Sequence, residues 1–212
     1  MGMSLLAGLV LAFSAGAAMA ADITIGMEGP ITGEYAAFGE QMKRGAELAV
    51  KDINASGGVL GRQLHLLSGD DACDPKQAVN VANEMANNGA VFVAGSFCSG
   101  ASIPASAVYA ENDVLQITPA STNPALTDDA FKNGWTNVFR VCGRDDSQGR
   151  VAGQYIAAHF RDKPVAIVQD KSAYGKGLAD QTKAAMNVAG LKEVMYESIN
   201  QGDKDFSALV TK

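Results

Sequence analysis

Short β-branched runs alternate with longer amphipathic stretches from residue 23 to the end of the chain. Strands that each return through a helix pair in parallel, so this alternation predicts an α/β layered fold: Rossmann-like parallel sheets with flanking helices. The predicted strands are 23–27, 63–67, 91–94, 114–117, 138–141, 165–168 and 194–198. Over 39–54, Met42, Ala46, Ala49, Val50 and Ile53 share one helical face, while Glu40, Lys43, Glu47 and Lys51 face outward. Gly57-Gly58 follows, where glycine can take the left-handed conformation that closes a helix. Asp74-Pro75-Lys76-Gln77 predicts the next helix start, with an N-cap carboxylate, a first-turn proline and a glutamine placed for reciprocal capping. Further helices are expected near 102–112, 147–160, 177–189 and from 205 onward.

The chain opens with an apolar run over 5–13 that passes into small residues and ends Ala18-Met19-Ala20. That is an A-x-A cleavage pattern, so residues 1–20 are read as a signal peptide cleaved after Ala20, although no lysine or arginine precedes Leu5. A membrane anchor is the alternative, but the run is short of the ~20 apolar residues a spanning helix needs. No cysteine lies near the cleavage point to carry a lipid. At the other end, 203–212 reads as the opening of a helix that meets the chain terminus, and the chain is expected to be a fragment of a longer protein.

A net charge of -6 with lysines and arginines scattered along the chain argues against nucleic acid as a partner, because a phosphate backbone needs a basic face. Three cysteines in an exported chain are either oxidised or deliberately free. Cys73 and Cys98 are taken as the pair, closing a loop worth roughly 3 kcal/mol in the chain-entropy model. Cys142, beside Val138, Phe139 and Val141 in what reads as a buried strand, is taken as a packed free thiol.

Two loops carry the functional reading. Residues 95–102, Gly-Ser-Phe-Cys-Ser-Gly-Ala-Ser, follow a strand and lead into a helix, so backbone N–H groups and a positive dipole end would face the crevice at the sheet's carboxyl edge. A carboxylate suits that place. Ser99 adds a hydroxyl donor and Gly100 permits close approach; an equal alternative is that Ser99 merely caps the helix. Residues 117–124, Ile-Thr-Pro-Ala-Ser-Thr-Asn-Pro, follow the next strand, and their carbonyls and hydroxyls can accept from an ammonium group, an ordinary connector being the alternative. A donor-rich loop beside an acceptor-rich loop suits a zwitterion.

The run Asp70-Asp71-Ala72-Cys73-Asp74-Pro75-Lys76-Gln77-Ala78-Val79, then Phe97-Cys98-Ser99, Ile117-Thr118-Pro119-Ala120 and Asp170-Lys171 through Tyr174-Gly175, closely resembles the periplasmic leucine/isoleucine/valine-binding proteins. Motif order and spacing agree from residue 23 to 206. The resemblance implies a type I periplasmic binding fold: a first lobe over 21–140, incomplete without later segments, and the first part of a second over 141–212, closing on a ligand and docking on the membrane permease of an ABC transporter. It implies a periplasmic, monomeric protein without cofactor or catalytic activity. Residue by residue, Ser99 with backbone help would bind the α-carboxylate, and the Ala120 carbonyl and Thr122 hydroxyl the α-ammonium. Cys73 and Cys98 match the family disulfide, Cys98 also bordering the ligand. Tyr174 matches an aromatic that closes over it. Phe38 stands where the family often has tyrosine and Phe97 where it usually has leucine; for both, plain core packing is the alternative. A carboxylate that the family uses to pair the ammonium falls beyond Lys212.

Other readings are a ligand-sensing ectodomain, a binder of another amino acid or small carboxylate, and an α/β enzyme. The sequence has no G-x-S-x-G elbow, G-x-G-x-x-G turn or G-x-x-x-x-G-K-[ST] loop. His65 and His159 read as structural, and no zinc-ligand spacing is present. Asp70-Asp71 and Asp145-Asp146 are assigned to helix capping and solvated turns. Asn54-Ala55-Ser56 fits a glycosylation sequon, discounted in a bacterial-type exported protein.

Overall fold

The computed structural model describes residues 21–212, and the expected signal peptide lies outside the described residues. Each β-branched run forms a strand: β1 (Ile23–Gly29), β2 (Leu64–Asp70), β3 (Phe92–Ala94), β4 (Leu115–Thr118), β5 (Val138–Arg140), β6 (Ala166–Gln169) and β7 (Met195–Ser198). The helices between them are α1 (Ala36–Ala55), α2 (Pro75–Asn87), α3 (Ser99–Glu111), α4 (Ala125–Asn133), α5 (Asp145–His159), α6 (Ala173–Val188) and the short α7 (Ser207–Val210). No described helix is long and apolar enough to cross a membrane.

A five-stranded parallel sheet has the order β2-β1-β3-β4-β5, and β6 and β7 form a separate parallel pair. The chain steps from β1 outward to β2, then returns past β1 to β3. Right-handed crossovers therefore put α1 on one face and α2, α3 and α4 on the other, and a crevice opens outside the carboxyl ends of β1 and β3. The main core lies under α2 and α3, where Ala78, Val81, Ala82 and Met85 meet Val93, Ala101, Ala105 and Tyr109. Small residues on α3 let it lie close to α2 and the sheet. A smaller core joins α5 and α6 to β6 through Ala157, Ile167, Met186 and Leu191.

Several local expectations are corrected. The apolar face of α1 is only partly covered: Met42, Ala46 and Val50 are half-buried and Ala49 and Ile53 exposed, because among the described residues no other helix packs on that side of the sheet. Its stop does come at Gly57 and Gly58, with φ of 99° and 75°. Asp74 caps α2 by accepting the N–H groups of Lys76 and Gln77. Gln77 does not reciprocate; it donates to the Asp70 carbonyl at 2.6 Å, while the Asp74 N–H is taken by the Asp71 carbonyl at 2.7 Å. Among the described residues the strand before Cys142 stands at the edge of the sheet and is not buried throughout: Val138 is buried, but Phe139 and Val141 are exposed. Cys142 is a half-buried free thiol pointing at the Ser121 carbonyl.

Candidate functional site

β3 and β4 end side by side, and the loops that leave them are fastened together below the crevice. The Thr118 hydroxyl donates to the Ser96 carbonyl at 2.6 Å and accepts the N–H groups of Ala120 and Ser121. The Ser102 hydroxyl accepts the Ser96 N–H at 3.0 Å and meets the Ser121 hydroxyl at 2.6 Å. Ser96, Ser102, Thr118 and Ser121 are all buried, so this seam is dry, where a lost bond leaves an unsatisfied group. Gly95 makes the close approach possible: its φ is 157°, and a Cβ there would meet the Glu28 carbonyl oxygen at 2.3 Å. Cys73 and Cys98 are joined, with Cα atoms 5.5 Å apart, tying the β3–α3 turn to the β2–α2 loop.

Ser99 opens α3 but does not cap it; the N-cap is Cys98, which makes no side-chain capping bond. The Ser99 hydroxyl oxygen instead accepts the Asn123 N–H at 3.2 Å, leaving its own O–H free to donate. The N–H groups of Ser99 and Gly100 belong to the first turn and have no carbonyl four residues back within the helix. Three donors thus sit at the positive end of α3, beside the residue next to Thr122. None of the bonds in the seam uses the Ala120 carbonyl.

Thr122 faces an acid that the sequence reading set aside. Asp145 is fully buried and its N–H donates to the Thr122 carbonyl at 3.0 Å. Both Asp145 carboxylate oxygens and the Thr122 hydroxyl lack a hydrogen-bond partner. Burial pushes the Asp145 carboxyl above its usual range, opposed by the nearby Thr122 hydroxyl and the Arg140 charge. Its neighbour Asp146 does something else: it pairs with Arg144 at 3.1 Å, and that contact holds it below the usual carboxylate range. The adjacent acids are not a dyad. Arg140, also overlooked, holds the loop from behind by donating to the carbonyls of Ser121 at 2.7 Å and Asn123 at 2.8 Å.

Phe38 and Phe97 are not core residues. Their rings stack 4.8 Å apart, Phe38 is 48% exposed, and with Gln41, Met42, Pro119 and Ala120 they line a cleft of about 320 Å³. Tyr174, 45% exposed, stands in the first turn of α6. The Asn123 side chain donates to the neighbouring Ala173 carbonyl at 2.6 Å, and a Cβ at Gly100 would lie 3.8 Å from that of Ala173. The structure therefore brings Ser99, Thr122 and Tyr174 into one neighbourhood, with Phe38, Phe97 and Ala120 along one flank. A second, more apolar cavity of about 710 Å³ lies between Thr122 and the exposed side of α5, at Val151 and Tyr155. His65 is exposed on β2, and His159 ends α5 stacked on Tyr155 at 4.1 Å; neither approaches the crevice loops. No group of three metal-ligating side chains occurs among the described residues.

The family model described as periplasmic binding protein matches residues 22–212. The chain is 51% identical over 203 residues to Leu/Ile/Val-binding protein homolog 1 of Brucella melitensis, an alignment covering 96% of this chain and 53% of that protein. An amino acid binding protein of Pseudomonas aeruginosa is 53% identical over 193 residues, covering 91% and 50%. Among solved structures, the branched-chain amino acid transporter substrate binding protein LivJ of Streptococcus pneumoniae, in complex with isoleucine, superposes with a TM-score of 0.77 at 30% identity, covering 90% and 53%. The chain spans about half the length of the curated relatives it matches. With a parallel sheet, flanking helices and a crevice at the strand ends, it belongs to the periplasmic binding protein family.

Proposed function

We propose that this chain supplies the ligand-gripping loops of an extracytoplasmic substrate-binding protein that takes up branched-chain amino acids and delivers them to an ABC transporter permease. One observation carries this reading. Ser99, with a free O–H at the positive end of α3, is hydrogen-bonded to the residue that follows Thr122, whose hydroxyl lies beside the buried carboxyl of Asp145. The α3 end offers hydrogens to a carboxylate. The Ala120 carbonyl offers an oxygen to an ammonium; the Thr122 hydroxyl and the Asp145 carboxyl, both shielded from solvent, would be reached when the β4–α4 loop yields to the ligand, and Asp145 would then bring negative charge that the resemblance places only beyond the chain. An ammonium arriving there would also relieve the penalty of burying Asp145 without a partner.

Phe38 and Phe97 flank the Ala120 side of the site, where an aliphatic side chain would be desolvated, and Tyr174 approaches from α6. The names of the relatives support the branched-chain class. Two lobes, a first over 21–140 that later segments would complete and the first part of a second over 141–212, fit the separation of the five-stranded sheet from the β6–β7 pair. Export to the periplasm fits the family and the A-x-A pattern at Ala20. Binding without turnover fits the periplasmic binding protein family.

Titration calorimetry with leucine, leucinamide and 4-methylpentanoate tests the reading. Leucine is expected to bind, and each analogue, lacking one charged end, to bind far more weakly. Equal affinity for leucine and leucinamide would remove the α3 end from the site.

A further inference from the structure

β1 ends with an acid inside the protein. Glu28 is fully buried, and the Tyr109 hydroxyl of α3 donates to its Oε2 at 2.6 Å. Asp71, just past β2, is also fully buried; its Oδ1 accepts the Cys73 N–H at 2.8 Å. Three buried oxygens remain without partners here: Glu28 Oε1, Asp71 Oδ2 and the Ser96 hydroxyl. They are neighbours: the Asp71 N–H donates to the carbonyl of Gly29, the residue after Glu28, at 3.1 Å, and a Cβ at Gly95, the residue before Ser96, would lie 3.0 Å from the Glu28 Cβ.

The titratable groups that bear on Glu28 are Tyr109 of α3 and Asp71; on Asp71, Asp70 of β2 acts as well. The residues of α2, β3 and α3 in the adjoining core are Ala78, Val81, Ala82, Val93, Ala101 and Ala105, which carry no charge. Neither acid joins an ion pair among the described residues. Two buried like charges without a cation cannot both persist, and a carboxylic proton turns a repulsion into a hydrogen bond.

We propose that Glu28 and Asp71 hold one proton between them, with the Ser96 hydroxyl alongside, and that this proton positions the Phe97–Cys98–Ser99 turn for the ligand carboxylate. Both acids reach that turn by short routes. Asp71 holds Cys73, which is bonded to Cys98, the neighbour of Ser99. Glu28 lies under Gly95 and against Ser96, whose N–H and carbonyl are anchored in the seam between the two loops. Burial pushes Glu28 up to about 8 and Asp71 up to about 6, which agrees with one retained proton at neutral pH. The positioning role rests on the α3 end being the carboxylate cradle; the shared proton does not.

The folded value for Glu28 is raised, so its contribution to stability is present below the ordinary carboxyl value and is lost as pH rises through about 8. Carbon-13 NMR of the carboxyl-labelled chain reads the proton directly. One buried carboxyl is expected to stay protonated at about pH 7, and its signal to be missing in Glu28→Gln. In the same variant the alkaline fall of the unfolding midpoint, from about pH 6 to about pH 9, is expected to flatten. Wild-type leucine affinity is expected to fall severalfold as that carboxyl titrates, and Glu28→Gln to lose the pH dependence. If every carboxyl is ionised by about pH 6, the shared proton is overturned, and the wild-type spectrum decides this even if the variant fails to fold. If the proton is present but affinity ignores pH, the positioning role is overturned. If the proton is present and leucine binds at no pH, the ligand reading fails with that role while the shared proton stands.

Discussion

Truncating Ser99 to alanine removes the one side-chain donor at the α3 end and also the acceptor for the Asn123 N–H. Leucine binding is expected to weaken by about 1 to 3 kcal/mol, because a desolvated carboxylate loses a partner, and calorimetry of the variant measures it. Asp145→Asn separates function from stability more sharply. The carboxyl is buried, without a hydrogen bond, and titrates above its usual range, so its stabilising contribution falls as pH rises past the ordinary carboxyl value. Near neutral pH the amide variant is expected to resist urea as well as the parent or better, while losing about 3 to 5 kcal/mol of leucine affinity. A variant that unfolds earlier and binds normally would make Asp145 a structural residue. That the loops after β3 and β4 lie side by side was legible, because loop placement after consecutive parallel strands is a local property, whereas the ligand roles of Ser99, Ala120 and Thr122 rest on the family resemblance and are part of the proposal. Glu28, Asp71 and Asp145 were not legible, since an acid in a strand or turn is read as solvated until the elements around it are known to close over it.

At the scale of elements, α5 and α6 pack through glycines. A Cβ at Gly149 would meet Gln181 Cβ at 2.5 Å, and one at Gly153 would meet the Thr182 carbonyl oxygen at 2.5 Å. Gly153→Val is therefore expected to destabilise the chain by about 1 to 3 kcal/mol in urea denaturation, whereas Gly45→Ala, on open helix surface, is expected to do no harm. The Cys73–Cys98 bond ties the α3 end to the β2–α2 loop, and replacing both cysteines with serine is expected to cost about 2 to 4 kcal/mol by the same assay. The seven described strands lie within one to three residues of the runs read from sequence, because short runs rich in β-branched and aromatic residues between turn signals mark strands whatever their final burial. α4 was missed: it follows Pro124, buries only Leu126 and Ala130, and leaves Phe131 exposed, so no helical stripe marks it. The glutamine after Asp74 was misassigned for a related reason, as the nearby Asp70 carbonyl competed successfully for its amide.

Across the whole molecule, the strand order dictates where a ligand can sit. Because β2 and β3 flank β1, the loops after β3 and β4 leave the same edge beside the point where the chain reverses direction, and α6 brings Tyr174 toward them from the second sheet. The Asn123–Ala173 hydrogen bond, the Asp145–Thr122 backbone bond at 3.0 Å, the Arg144–Asp128 ion pair at 2.8 Å and the contact of the Gln201 amide with the Tyr35 hydroxyl at 3.3 Å are among the contacts that join the parts carrying the two sheets. In the proposed complex one zwitterion bridges the α3 end and the β4–α4 loop. Amide NMR of the nitrogen-15-labelled chain during a leucine titration addresses it directly. Saturable shifts at Ser99, Gly100, Ser121, Thr122 and Asn123 with one common affinity are expected; shifts confined to the cavity beside Val151 and Tyr155, or two loops responding with different affinities, would rule out a shared ligand.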